Sequence, residues 1–186
     1  MAINVSNINT KGAVITIGGV IPAATNPDAD GFYWGSVSGV DAGCTAGGVT
    51  VSYKSEKKDI FCDQTLAAVD TSLVSESAEI SFNMLETNVE KLILAVQQAV
   101  SDISGTEAKM ALGGATAVTT VIMKLEIADD VTGLLTTWTF YKVASNGIDI
   151  NFERDNPSQV KVTFVAFADT AKAVGHQLFS VHEALT

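Results

Sequence analysis

The sequence predicts a mainly β domain, a β-sandwich or incomplete barrel with one packed helix, from three observations. Apolar and polar residues alternate with a period of two in one segment after another. Clusters of Gly, Pro, Asn and Asp punctuate those segments at short intervals. Only one stretch carries the period of a helix. The 186 residues are one domain's worth of chain, enough to withdraw roughly 70% of the unfolded surface from water. No linker divides them, so residues 1–186 are read as a single domain.

The elements follow in order. GAVITIGGVI (Gly12 to Ile21) and GFYWGSVSGV (Gly31 to Val40) read as strands on either side of a Pro22 to Asp30 loop rich in Ala, Asn, Pro and Asp. Val49, Val51 and Tyr53 alternate with Thr50, Ser52 and Lys54, as in a half-buried strand. TLAAVDTSLV (Thr65 to Val74) reads as another strand, and Ile80, Phe82 and Met84 against Glu79, Ser81 and Asn83 as a further one. Val89, Leu92, Ile93, Val96 and Val100 then recur on one helical face, which places a helix over about 86–100. Thr87 with Glu90 three positions later matches a capping box, and Gly105 lies just beyond the helix end. A helix with one apolar stripe must lie on a sheet or in a gap between sheets. Leu92→Ala or Ile93→Ala should cost about 2 to 5 kcal/mol where that stripe is core.

Val121, Met123, Leu125 and Ile127 alternate with Ile122, Lys124 and Glu126. Around Trp138, Phe140 and Tyr141, and through VKVTFVAFA (Val160 to Ala168), β-branched and aromatic residues occupy both faces, as in strands covered on both sides. LFSVH closes the set. Asn146-Gly147 reads as a hairpin turn and Asn156-Pro157 as another turn, while Gly18-Gly19, Gly47-Gly48 and Gly113-Gly114 read as bends or bulges at strand ends.

Composition narrows function. Apolar residues make up 47% of the chain and charged ones 17%, too few charges to cover a lone globule generously, so some surface is expected to be covered by partners. With 21 acidic against 11 basic residues and a formal charge of -10, ordinary nucleic-acid binding is disfavoured. No run approaches the roughly 20 apolar residues of a membrane-spanning helix, and the opening MAINVSNINTKG lacks the basic-then-apolar order of a signal peptide, so a cytoplasmic origin is expected.

Catalytic and metal signals are thin. Cys44 and Cys62 form no CxxC pair; as small half-buried side chains they could face each other across a hairpin. His176 and His182 share a face only if their segment is a strand, and Glu183 would then point the other way, so no metal site is expected. Asp129-Asp130 lacks the alternating oxygen ligands of a calcium loop, and no nucleophile elbow, phosphate loop or His-Glu-x-x-His occurs. The expectation is a protein without cofactor, metal or catalytic residues. The densest charge run, Lys54 to Asp59, reads as a solvated hairpin tip, or as a projecting loop able to pair with an acidic neighbour.

The stretch EKKDIFCDQTLAAVDTSLVSESAEISFNMLETNVEKLILAV (Glu56 to Val96) resembles the central signature of siphophage major tail tube proteins. Asp70, Glu76, Ile80, Phe82, Glu86, Thr87, Leu92 and Ile93 fill that pattern of charged loop, Asp-bearing strand, Ser-Glu turn, alternating strand and capped helix. VKVTFVAFADTA (Val160 to Ala171) is similar to the family's penultimate strand. The Gly- and Ala-rich stretch from Ala42 to Gly48 departs from the pattern.

The resemblance implies a structural subunit that joins five others in a ring. Its inner strands would complete a β-barrel around a lumen, and the rings would stack into a hollow tube that delivers phage DNA without specific binding. It implies a projecting loop over about 54–63, with Lys54, Glu56, Lys57, Lys58, Asp59 and Asp63 as inter-subunit or inter-ring contacts, and with Lys57 and Lys58 in inter-ring salt bridges. An N-terminal arm over about 1–11 and the Pro22 to Asp30 loop would also stack, and Glu76 and Glu79 would line the lumen, where carboxylates repel phosphates. Partners would be further copies of the chain, tail-tip or baseplate and tail terminator proteins, and no membrane; the place would be the virion tail, assembled in the host cytoplasm. The alternatives are a related tube protein of another contractile or secretion apparatus and an acidic β-sandwich binding or adhesin module.

Overall fold

A computed structural model describes residues 12–18, 39–61, 67–97, 100–104, 107–114, 117–128, 134–152 and 158–183. Within them the chain is mainly β with one helix: β1 (Val14–Ile17), β2 (Val40–Asp41), β3 (Thr45–Phe61), β4 (Ala68–Met84), α1 (Val89–Val96), β5 (Val100–Ser104), β6 (Glu107–Ala111), β7 (Val121–Ala128), β8 (Leu135–Asn151), β9 (Gln159–Ala166) and β10 (Phe179–Glu183). All strands but β5 and β6 belong to one open antiparallel sheet of order β2-β1-β7-β8-β9-β4-β3, with β10 paired to β8. β5 and β6 form a separate hairpin.

The alternating residues explain the sheet's inner face. Ile80, Phe82 and Met84 of β4 lie opposite Phe164, Val162 and Val160 of β9, and all six are buried. The rings of Phe82 and Phe164 stack with centroids 6.2 Å apart. Ile15, Ile17, Met123, Leu125, Phe140 and Val143 extend the same core through β1, β7 and β8. Val49 and Val51 of β3 line one cavity with Leu125, Ile127 and Trp138, so the sheet curls until β3 meets β7 and β8. The layers expected from the sequence are two parts of this single curled sheet.

β8 makes the curl possible. Its first half runs between β7 and β10, with Trp138 opposite both Leu125 and Val181, and its second half pairs with β9. Between Ser145 and Ile148 the register shifts, and Gly147 there has φ 120, a backbone state that glycine adopts without strain. Asn146-Gly147 is therefore a bulge inside a 17-residue strand and not the expected hairpin turn. The positive-φ glycine that would suit a two-residue turn here bends a strand whose flanks are both paired.

The helix is shorter than its apolar period, spanning 89–96 in place of 86–100. Asn88 is the N-cap, its side-chain oxygen accepting from the Lys91 N–H at 2.9 Å, so the expected Thr87–Glu90 box does not form. Asn is the stronger cap and stands one residue closer to the first turn. Gln97 ends the helix at φ 63, its N–H donating to the Ile93 carbonyl at 3.0 Å, and Val100 passes into β5. Ala95 is fully buried, and Leu92 and Leu94 pack against the core. Ile93 is half-buried.

Cys44 is free and exposed just before β3; Cys62, which the sequence reading set beside it, lies outside the described residues.

Candidate functional site

β9 stops pairing at Ala166, opposite Ala78. From Ser77 outward the strand beside β4 among the described residues is β3 alone, and the two continue as a ribbon to Phe61 and Ala68. The run from Tyr53 to Phe61 reaches about 26 Å at strand rise. Every residue of both ribbon strands, 53–61 and 68–77, is exposed, Phe61 at 66% and Val74 at 57%.

The charged run Lys54 to Asp59 is thus strand and not loop. The sequence stretches expected as separate strands, Thr65 to Val74 and Ile80 to Met84, meet in the continuous β4. Charge did not break the strand because the ribbon has no buried face, so the charged side chains stay in water while the backbone of 54–59 pairs across the ladder. Register and alternation place the candidates. Lys54, Glu56 and Lys58 share one ribbon face, where Glu56 accepts from the Ser75 hydroxyl at 3.1 Å. Lys57 and Asp59 share the other, where Asp59 accepts from the Thr71 hydroxyl at 3.1 Å. A bulge at Val74 falls between the Glu56 and Lys57 pairings. Asp63, the 1–11 arm, the Pro22 to Asp30 loop and Asp129-Asp130 lie outside the described residues.

Glu76 and Glu79 are three residues apart on one strand and face opposite sides. Glu79 stands on the sheet's outer face between Ser52 of β3 and Val165 of β9. The same face carries Thr50, Lys54, Ser77, Ser81, Asn83, Lys161, Thr163 and Asp149. Its charges are balanced, two lysines beside two acids, so the acidity expected of a lining surface is not concentrated on these strands. Glu76 points to the inner side, beyond the core's end, where its carboxylate accepts from the Tyr53 hydroxyl. That hydrogen bond, with partial desolvation and the carboxylate's charge, holds Tyr53 above the ordinary tyrosine pKa.

At this ribbon root lies a cavity of about 440 Å³ lined by Tyr53, Glu76, Ala166, Phe167, Leu178 and Phe179, among others. Tyr53 meets Phe179 edge to face at 6.0 Å, and Phe179 in turn stacks on Trp138 at 5.7 Å. The wall is the loop after β9, closed by the Asp169 N–H donating to the Gln177 carbonyl at 2.9 Å. The sequence reading missed this aromatic pocket: Tyr53 looked like an ordinary inward strand residue, and nothing local brings Phe179, 126 positions later, beside it.

The described ladders leave open sides, among them β3, which ends the strand order as β2 does at the other end, and β8 past Val143, which has a strand neighbour, β9, on one side only. His182 lies on β10 opposite Thr137, while His176 sits in the preceding loop, so the two share no strand face. Among the described residues no three His, Cys, Asp or Glu side chains gather into a metal-binding group, and no helix is long and apolar enough to cross a membrane.

No family model and no curated sequence matches the chain. Several solved structures are similar in backbone, three of which follow. The virion of a native gene transfer agent particle aligns over 96% of this chain and 99% of that one, with 9% identity and a TM-score of 0.43. The tail of an empty gene transfer agent particle, of C6 symmetry, aligns over 92% and 96%, with 10% identity and a TM-score of 0.43. The extended sheath–tube complex of an extracellular contractile injection system, PVC, aligns over 96% and 92%, with 12% identity and a TM-score of 0.45.

Proposed function

We propose that this chain is the repeating subunit of a siphophage-type tail tube, assembling as stacked hexameric rings around a lumen that passes phage DNA. The observation that carries the reading is the ribbon. A two-stranded ribbon alone in water is marginal, and this one exposes Phe61, Leu73 and Val74 along with its backbone edges. Further copies of the chain are the covering surface that closes such a structure without limit on length. The resemblance of Glu56 to Val96 to tail tube proteins falls on this ribbon, β4 and the helix.

The open sides supply the ring contact. β9 and β4 lie between β3 and the second half of β8, so β3 of one copy pairing with residues 146–150 of the next would continue the sheet around a closed circle. The inner surface of that circle would be the face bearing Glu79, Ser81, Thr163 and Lys161. Rich in hydroxyls and balanced in charge, it would hold DNA weakly, which is the property a conduit needs; Glu76, on the other side of β4, is not part of it. In this reading the protein works as a virion component and carries out no catalysis.

Negative-stain electron microscopy of the purified protein over a range of concentrations, with and without a tail-tip extract as nucleus, tests the proposal. Hollow rings or uniform tubes are the expected outcome. Compact monomers under every condition would remove it in favour of an acidic β-domain binding module.

A further inference from the structure

We propose that the cavity at the ribbon root is a receptor for a lysine ammonium group, and that its occupant is Lys57 or Lys58 of a second copy of this chain. The occupant rests on the assembly reading above; the chemistry of the receptor does not. A cation is held best by an aromatic face and a carboxylate together, and the cavity offers both, with Tyr53, Phe167 and Phe179 around Glu76. The aromatic half of this chemistry is present elsewhere among the described residues, where the Lys172 ammonium lies 5.2 Å from the centre of the Tyr141 ring.

Among the described residues no cation lines the cavity. The ion pairs Lys109–Glu107 and Lys124–Glu126 lie elsewhere, and Glu76, which accepts from the Tyr53 hydroxyl, is exposed. That hydrogen bond, then desolvation and the carboxylate's charge, raises the Tyr53 pKa.

The charge complement stands on the ribbon. Lys54, Lys57 and Lys58 are three of the chain's 11 basic residues within five positions, exposed and outside those ion pairs. Lys54 and Lys58 point to the ribbon face away from Glu76. Lys57 shares the Glu76 face but sits further out, opposite Leu73, and would have to fold back to reach the root. Knob and receptor lie on different parts of one molecule, which makes the contact head to tail, the kind that builds rings and filaments.

Two measurements decide the proposal separately from the tube reading. In the isolated subunit, n-butylammonium is titrated against the Tyr53 and Phe179 ring resonances by NMR, with n-butanol as the uncharged probe of the same shape. Saturable shifts are expected with the ammonium, weakened roughly tenfold for the alcohol and for Glu76→Gln; equal response to both probes overturns the receptor whether or not tubes exist. For the occupant, Glu76→Lys chains and Lys57→Glu/Lys58→Glu chains, each confirmed folded by circular dichroism, are assembled alone and mixed in equal amounts. Each alone is expected to raise the concentration needed for assembly by roughly tenfold, and the mixture to restore it. Rescue only when all three changes stand in one chain would assign the ammonium to the receptor's own ribbon, and failure of the mixture, or of wild-type assembly itself, overturns the second copy as occupant.

Discussion

Tyr53 stands where the core ends and the ribbon begins, and its hydroxyl has a pKa raised by the hydrogen bond to Glu76. Below the ordinary tyrosine value of about 10 it is protonated in both folded and unfolded chains, so its contribution to stability is fully present. As pH rises through the raised folded value the unfolded chain releases the proton first, and the contribution is lost. Urea midpoints of the wild type should therefore fall faster than those of Tyr53→Phe between about pH 9 and pH 11; parallel curves would show that the bond to Glu76 carries no weight. The same residues show what side-chain parity can and cannot do. That Glu76 and Glu79 face opposite sides was readable once both were placed on one strand, because three steps along a strand always cross the sheet. That Glu76 should find a phenol was not readable, because the contact depends on how β3 and β4 twist beyond the last β9 pairing.

At the scale of elements, local physics left clear marks in the sequence. The alternating sets at Val49, Ile80 and Val121 all became strands at the expected places, since each needed one apolar face against the core; the Val160 to Ala168 segment, expected to be covered on both sides, became β9 with alternating burial and Lys161 exposed. The helix was legible as a helix and misjudged at both ends, because periodicity extends through any apolar residue in phase, whereas the ends are set by Asn88 and Gln97. Asn88→Ala should cost about 1 kcal/mol in chemical denaturation and Thr87→Ala a few tenths; the reverse order would restore the capping box. Leu92→Ala should cost more than Ile93→Ala, since only Leu92 of the two packs against the core, and both should fall toward or below the lower end of the roughly 2 to 5 kcal/mol of fully buried sites. The β5–β6 hairpin escaped notice because Val100 fits the helical stripe as well as it fits a strand. The Lys54 to Asp59 run was read as a loop for a similar reason: charge marks exposure, and exposure is shared by loops and by a ribbon with two wet faces. Asn146-Gly147 was assigned to a turn because a positive-φ glycine serves a bulge equally well, and only the uninterrupted pairing of β8 with its neighbours distinguishes them.

For the whole molecule, the proposed assembly draws on the low charge density and the two-sided exposure of the ribbon. If Lys57 and Lys58 join neighbours, Lys57→Glu/Lys58→Glu should shorten tubes and make their assembly tolerate less salt, measured by light scattering across ionic strength. Unchanged length and salt resistance would leave the ribbon's apolar residues as its only adhesive contribution. The topology adds an order of events. β3 and β4 are joined by the short residue interval 62–67, whereas the pairing that anchors them to the body, β4 with β9, unites segments roughly 80 positions apart, and the entropy of closing such a loop must be met before its contacts form. The hairpin is therefore an early structure and the body a late one: during synthesis the part of the chain that the proposed assembly would cover exists before the β9 strand that holds it in place, and a growing chain must spend that interval with the ribbon's strand edges already made.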